Sequence, residues 1–301
     1  MIKVDNVVKR FGDFTALDRI SCEIEDGTVY GLVGVNGAGK STLLRVITGI
    51  YQLEEGSVSY DGVPISSHPE AKQSFAFVPD ELYLPNNSCL LNMAKKYRVL
   101  YGGKFDEECF LRLCSELSLD LRKSFSGFSK GMKRQAATVL ALSRRTDYIF
   151  FDETFDGLDP FKRAYVKKII SEEVRSRGVT VVITSHSLKE LEDICDKLAV
   201  VDKGGLVFES QVSSLPEGVK VQVAFAEDYD ITRFSSLEIL DYSKQGKVAT
   251  LTVKGDENLV REVIEPMSPL LLEILPLSLE DAFTLELSSR GVKTFLQKEV
   301  E

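Results

Sequence analysis

Apolar residues in this chain fall into two rhythms. Short unbroken runs mark buried strands: Val29–Val33, Tyr148–Phe151 and Val179–Ile183, each closed by glycine or by polar residues. Between the first two, Leu43, Leu44, Val46 and Ile47 recur at helical spacing, and positions from 86 to about 143 are mostly helical by pattern. Elsewhere the rhythm is alternation. Ile2 and Val4, then Ile20, Cys22 and Ile24, predict antiparallel strands with one wet face. Val58–Tyr60 followed by Asp61-Gly62 predicts a hairpin, as does Leu198–Val201, Lys203-Gly204-Gly205, Leu206–Phe208. Ser213-Ser214-Leu215-Pro216-Glu217-Gly218 has the composition of a linker. Past it, Val219, Val221, Val223 and Phe225 alternate, as do Ala249, Leu251 and Val253; Leu259, Val260, Val263 and Ile264 read as a helix. Leu270–Leu275 reads as another strand, and Ser278-Leu279-Glu280-Asp281 resembles a capping box opening a helix through Ala282, Phe283 and Leu287. The expectation is an α/β first domain over 1–212, with a helical subdomain at about 86–143. A small accessory α+β domain over 213–301 follows, in which no catalytic constellation is found.

The chemistry concentrates after the first buried strand. Gly34-Val35-Asn36-Gly37-Ala38-Gly39-Lys40-Ser41-Thr42 stands between a strand and a helix, the setting a phosphate-binding loop requires. Gly34, Gly37 and Gly39 let backbone N–H groups converge on phosphate oxygens, where the helix dipole adds its positive end. Lys40 then reaches the β- and γ-phosphates and the Ser41 hydroxyl takes Mg²⁺. Tyr148–Phe151 ends in Asp152-Glu153, two carboxylates at the carboxyl end of a strand, where open α/β sheets bind ligands. Asp152 suits the metal, a hard cation that prefers oxygen, and Glu153 suits a general base orienting the attacking water.

With these motifs in place, the chain resembles the nucleotide-binding subunits of ABC (ATP-binding cassette) transporters. Phe11-Gly12 matches the aromatic position that stacks on adenine; Phe128-Ser129-Lys130-Gly131-Met132-Lys133 looks like the signature loop. Gly157-Leu158-Asp159-Pro160 looks like the D-loop, and Thr184-Ser185-His186 matches the switch histidine. The resemblance implies a P-loop NTPase ABC cassette with a RecA-like core, an antiparallel β flank and a helical subdomain. It implies ATP and Mg²⁺ as ligands, with Phe11, Asn36, Ala38, Thr42, Ser129, Gly131 and Asp159 joining the loop in nucleotide binding. His186 would hold the γ-phosphate and the water. Because the signature faces a nucleotide on the opposite subunit, a second cassette is implied, alike or different, together with a separate multi-span permease at the cytoplasmic face of the membrane.

Some positions depart from the family pattern. Asp80 stands where a metal-contacting glutamine is usual, so a carboxylate takes that place in the metal set with Ser41 and Asp152. Val35, Lys130, Met132 and Thr154 differ from the commonest residues without removing an essential group. The run Ser278–Phe283 resembles the tail of drug, peptide and lipid exporter ATPases, so export is the favoured expectation. The alternative is a non-transport ATPase of the same family acting on ribosomes or nucleic acid.

Composition fits this picture. The 301 residues carry a net charge of −9, which argues against broad nucleic-acid binding, and no nucleic-acid partner is expected. Five cysteines, Cys22, Cys89, Cys109, Cys114 and Cys195, are scattered without C-x-x-C pairs, as in a reduced compartment. No apolar run reaches membrane-span length, Pro269–Leu279 being broken by Glu273 and Pro276, and no leader opens the sequence. Of the two histidines, His68 lies in a polar loop and His186 at a strand end.

Overall fold

The structure, a computed structural model, describes residues 1–66 and 69–291; His68 lies outside the described residues. Two units divide the chain, Met1–Val212 and Ser213–Glu301. The first opens with β1 (Ile2–Phe11) and β2 (Phe14–Ile24), then β3 (Val29–Val33) and α1 (Lys40–Ile47). A small hairpin, β4 (Glu55–Tyr60) and β5 (Val63–Pro64), turns at Asp61 and Gly62, both with positive φ (49° and 80°), as a tight hairpin turn requires. Strand β6 (Phe75–Val78) leads into helices α2 (Leu90–Tyr101), α3 (Glu107–Glu116) and α4 (Lys130–Leu142). The unit closes with β7 (Tyr148–Asp152), α5 (Pro160–Arg177), β8 (Thr180–Ser185), α6 (Leu188–Leu191), β9 (Lys197–Asp202) and β10 (Gly205–Gln211).

Its strands form an antiparallel sheet, β2-β1-β4-β5, and a six-stranded sheet, β10-β9-β3-β8-β7-β6. In the larger sheet only the β9–β10 pair is antiparallel. Strands β3, β7 and β8 are buried along their whole length, which is why they read as unbroken apolar runs. Ile2, Val4, Leu17 and Ile20 of the antiparallel sheet share a core with Leu43, Leu44 and Ile47 of α1 and with Tyr30, Phe150 and Val182 of the larger sheet. The P-loop NTPase fold expected from the sequence is therefore present. Two details differ from the pattern reading. Residues 117–129 interrupt the helical stretch, and α5 is a long helix that the sequence reading did not include.

In the second unit, β11 (Val219–Ala224), β12 (Ile239–Gln245), β13 (Val248–Val253) and β14 (Leu271–Pro276) form one antiparallel sheet in the order β12-β13-β11-β14. Helix α7 (Glu257–Ile264) brings Val260 and Ile264 onto Val221, Val223, Leu251 and Val253. Helix α8 (Leu279–Ser289) starts at Ser278, whose hydroxyl accepts from the Asp281 N–H at 3.1 Å and donates to the Asp281 carboxylate at 2.6 Å.

Candidate functional site

Parallel pairing decides where the chemistry gathers. Val33 pairs with Ser185, Asp152 with Thr184, and Val78 with Phe151, so the carboxyl ends of β3, β8, β7 and β6 share one edge of the sheet. The glycine loop leaves that edge at Gly34, where a Cβ would lie 2.3 Å from the Val201 carbonyl oxygen, so no larger residue fits. Gly39 holds φ at 112° with the Ala16 carbonyl 2.9 Å from where a Cβ would stand. The loop is pinned from outside as well: the Gly204 N–H donates to the Ala38 carbonyl at 2.9 Å, and the Asp18 N–H to that of Gly204 at 2.8 Å. Helix α1 then begins with no side-chain cap, whereas α3, α4, α5, α7 and α8 each have one. Its first N–H groups, without a side-chain cap, follow the exposed Asn36 and Gly37, an arrangement that suits an anion.

Lys40, Asp152, Glu153 and His186 converge behind this loop. Lys40, almost completely buried, arcs back to donate to the Gly34 carbonyl at 2.6 Å and lies 3.1 Å from Glu153 Oε1. The other oxygen of Glu153 is 3.0 Å from His186 Nδ1. Asp152, with no exposed surface, accepts at Oδ1 from the hydroxyls of Ser41 and Thr184, both at 2.8 Å. Thr184 also accepts the Glu153 N–H at 3.0 Å, so one hydroxyl aligns both carboxylates. Glu153 itself sits at φ 49°, a left-handed conformation unusual for a residue with a side chain.

The fit for a hard cation rests on one orphaned atom. Asp152 Oδ2 is buried and has no hydrogen-bond partner, Arg45 Nη2 standing 3.9 Å away, so its lone pairs are open to a cation. Ser41 Oγ and Asp152 together supply the oxygen ligands Mg²⁺ prefers. A second group, Glu153, His186 and the buried Glu190, has ligating atoms within 4.8 Å of one another. Replacement of Thr184 by valine, which preserves shape, should lower unfolding free energy by about 1–3 kcal/mol by leaving the Glu153 N–H and one Asp152 lone pair unmet. A denaturant melt measures this, and an unchanged midpoint would show that water replaces the hydroxyl.

The remaining sequence candidates stand apart from this cluster. Phe11 is exposed at the hairpin end, its ring edge-on to Tyr51 with centroids 5.4 Å apart and with Lys9 Nζ 5.2 Å from its centroid. Ser129 caps α4, accepting the Met132 N–H at 3.2 Å, and Gly131 packs so tightly that a Cβ would meet the Gly157 carbonyl at 2.7 Å. Lys130 adds a 2.6 Å bond to Asp156, holding that carboxyl below the usual carboxylate range. Asp159 caps α5, and the Lys162 N–H it accepts holds its carboxyl low. Asp80 is engaged elsewhere: its carboxylate accepts from Arg134 Nη2 at 2.8 Å, while Nη1 of the same buried arginine holds the Pro79 carbonyl at 2.8 Å. For Asp80 to ligate a metal, Arg134 must let go. The sequence reading missed Arg134 altogether, because 54 residues separate it from its partner. It also passed over Arg45, although that residue lies one helical turn beyond Ser41 and so on the same face.

Known proteins resemble this chain in sequence and in fold. A family model described as ABC transporter matches residues 17–156. The ABC transporter ATP-binding protein YtrB of Bacillus subtilis is 28% identical over 285 residues, 94% of this chain and 97% of YtrB. SrtF of Streptococcus pyogenes, a lantibiotic transport ATP-binding protein, is 31% identical over 213 residues, 70% of this chain and 91% of its own. MetN of Haemophilus influenzae, a methionine import ATP-binding protein, is 29% identical over 237 residues, 74% of this chain and 69% of MetN. A solved ATP-binding subunit of an ABC transporter superposes with a TM-score of 0.64 at 25% identity, covering 70% of this chain and 90% of that one.

Proposed function

The chain belongs to the ABC transporter ATP-binding proteins, a family of ATPases, and from that premise we propose that it drives an exporter of peptides, drugs or lipids. The observation that carries the catalytic reading is Glu153, held between Lys40 and His186 at the phosphate loop. Binding of ATP draws the Lys40 ammonium onto the β- and γ-phosphate oxygens and away from Glu153. The freed carboxylate then accepts a proton from the attacking water, while His186 donates to the γ-phosphate. Phe11 stacks on the base. Ser41 and Asp152 would hold Mg²⁺, which would supply charge neutralisation between the phosphates. Asp80 would reach such a metal only once Arg134 released it.

Ser129 and Gly131 open α4 apart from the chain's own phosphate loop, so they serve a nucleotide on a second cassette, and Asp159 joins that interface. A separate permease places the pair at the cytoplasmic face of the membrane; no described helix is long and apolar enough to cross one. Export is favoured by the similarity to SrtF and by the Ser278–Phe283 run, although MetN is named for import. The second domain, 213–301, supports or regulates the dimer.

The test is assembly. ATP should drive association of the isolated chain, and Ser129→Arg should abolish it by steric bulk while monomer affinity for ATP stays within about twofold, since the phosphate loop is untouched. Sedimentation with and without ATP reads the outcome, and a variant that still dimerises overturns the proposed interface. Purification of the chain with a multi-span protein, and not with ribosomes or nucleic acid, checks the transport assignment.

A further inference from the structure

Asp152 Oδ2 lacks a hydrogen bond but not a neighbouring charge. Arg45 lies on the same face of α1 as Ser41, and its Nη2 is 3.9 Å from that oxygen, beyond hydrogen-bond reach yet well inside Coulombic range. The guanidinium also lies over the Tyr51 ring, its Cζ 5.8 Å from the centroid, and Tyr51 in turn meets Phe11. Arg45 is partly exposed and Asp152 is not, so the arginine can leave by the solvent side while the carboxylate stays. A buried carboxylate needs a counter-charge in every state of the site. In this state Arg45 supplies it at the oxygen the metal would take.

We propose that Arg45 is the resident counter-ion of Asp152 and makes divalent-metal binding depend on nucleotide. The inference rests on the reading of Ser41 and Asp152 as the metal site. With Arg45 in place, a divalent cation approaching alone meets a carboxylate already neutralised and a cation that repels it. Arrival of a nucleoside triphosphate adds negative charge beside Asp152, so that metal and arginine no longer compete for one carboxylate. By linkage, the metal strengthens nucleotide binding by the factor that nucleotide strengthens metal binding, and Arg45 contributes to that shared factor.

The experiment uses the full-length chain without nucleotide and Mn²⁺ as the probe, free Mn²⁺ being read by its paramagnetic resonance signal. Arg45→Met should bind Mn²⁺ at least about tenfold more tightly than the wild type in the absence of nucleotide, with most of that gain lost in a non-hydrolysable ATP analogue. Arg45→Lys, which keeps the charge, should stay near wild type. Mn²⁺ held at Glu153, His186 and Glu190 is common to all these proteins and cancels in the comparison. If the methionine variant does not fold, Arg45→Gln takes its place, being polar and uncharged. Wild-type Mn²⁺ affinity in a folded, neutral variant overturns the proposal. Failure of the Ser41–Asp152 assignment is distinguishable: Asp152→Asn would then leave Mn²⁺ binding unchanged even with the analogue present.

Discussion

Glu153→Gln should bind ATP as the wild type does and turn it over about 10²–10⁴-fold more slowly, the range a positioned general base contributes. The amide has the shape of the carboxylate and can still accept from Lys40 and meet His186 Nδ1, so the loop behind the phosphates keeps its form. What is lost is the ability to take a proton from water. ATP then persists, and the ATP-bound dimer accumulates instead of cycling. Single-turnover hydrolysis and sedimentation in ATP measure the two halves of this expectation. Near-normal turnover would move the base elsewhere, and Glu190, already within 4.8 Å of this group, would be examined first.

Lys40→Ala should weaken ATP binding by about 10- to 100-fold, the equivalent of one charge-assisted contact, and impair hydrolysis with it. The reasoning begins in the nucleotide-free site. Lys40 ties the start of the glycine loop to the base through Gly34 and Glu153, so its removal both deletes the phosphate contact and leaves Glu153 to His186 alone. A negatively charged, mostly buried Glu153 then faces incoming phosphate with less compensation, adding repulsion to the lost attraction. His186→Ala separates the terms, because half-exposed His186 leaves the loop untouched: binding should persist while turnover falls. Titration calorimetry of both variants decides the matter, and wild-type affinity in Lys40→Ala would exclude the lysine from phosphate binding.

Legibility followed locality. Strand, loop and helix from Val29 to Ile47 could be read because fully buried strands and glycine turns write themselves into neighbouring residues. The turn at Asp61-Gly62 and the cap at Ser278 were legible for the same reason. Helix α5 was passed over although Val166, Ile169, Ile170 and Val174 stand at helical spacing, because charged residues crowd the same segment, among them the buried Glu173 on Arg177. Strand β12 escaped notice because it lies at a sheet edge and alternates too weakly to stand out. Within the site, Lys40, Ser41, Asp152, Glu153 and His186 were each named from their motifs, and the structure brings them together. Arg134 on Asp80 and Arg45 beside Asp152 could not be read that way. Each is a charge whose partner is chosen by the sheet rather than by sequence spacing.

The φ of 49° at Glu153 sets stability and work against each other. A left-handed residue with a side chain costs about 1–2 kcal/mol, and glycine or asparagine would relieve it. A laboratory lineage chosen only for heat resistance would drift toward those residues at this position. Its survivors would be sturdier proteins that close on ATP and never let go. With Glu153 as the proposed base, the chain keeps an uncomfortable backbone there because a motor is judged by how it releases, and a more restful fold at this position would be a stalled one.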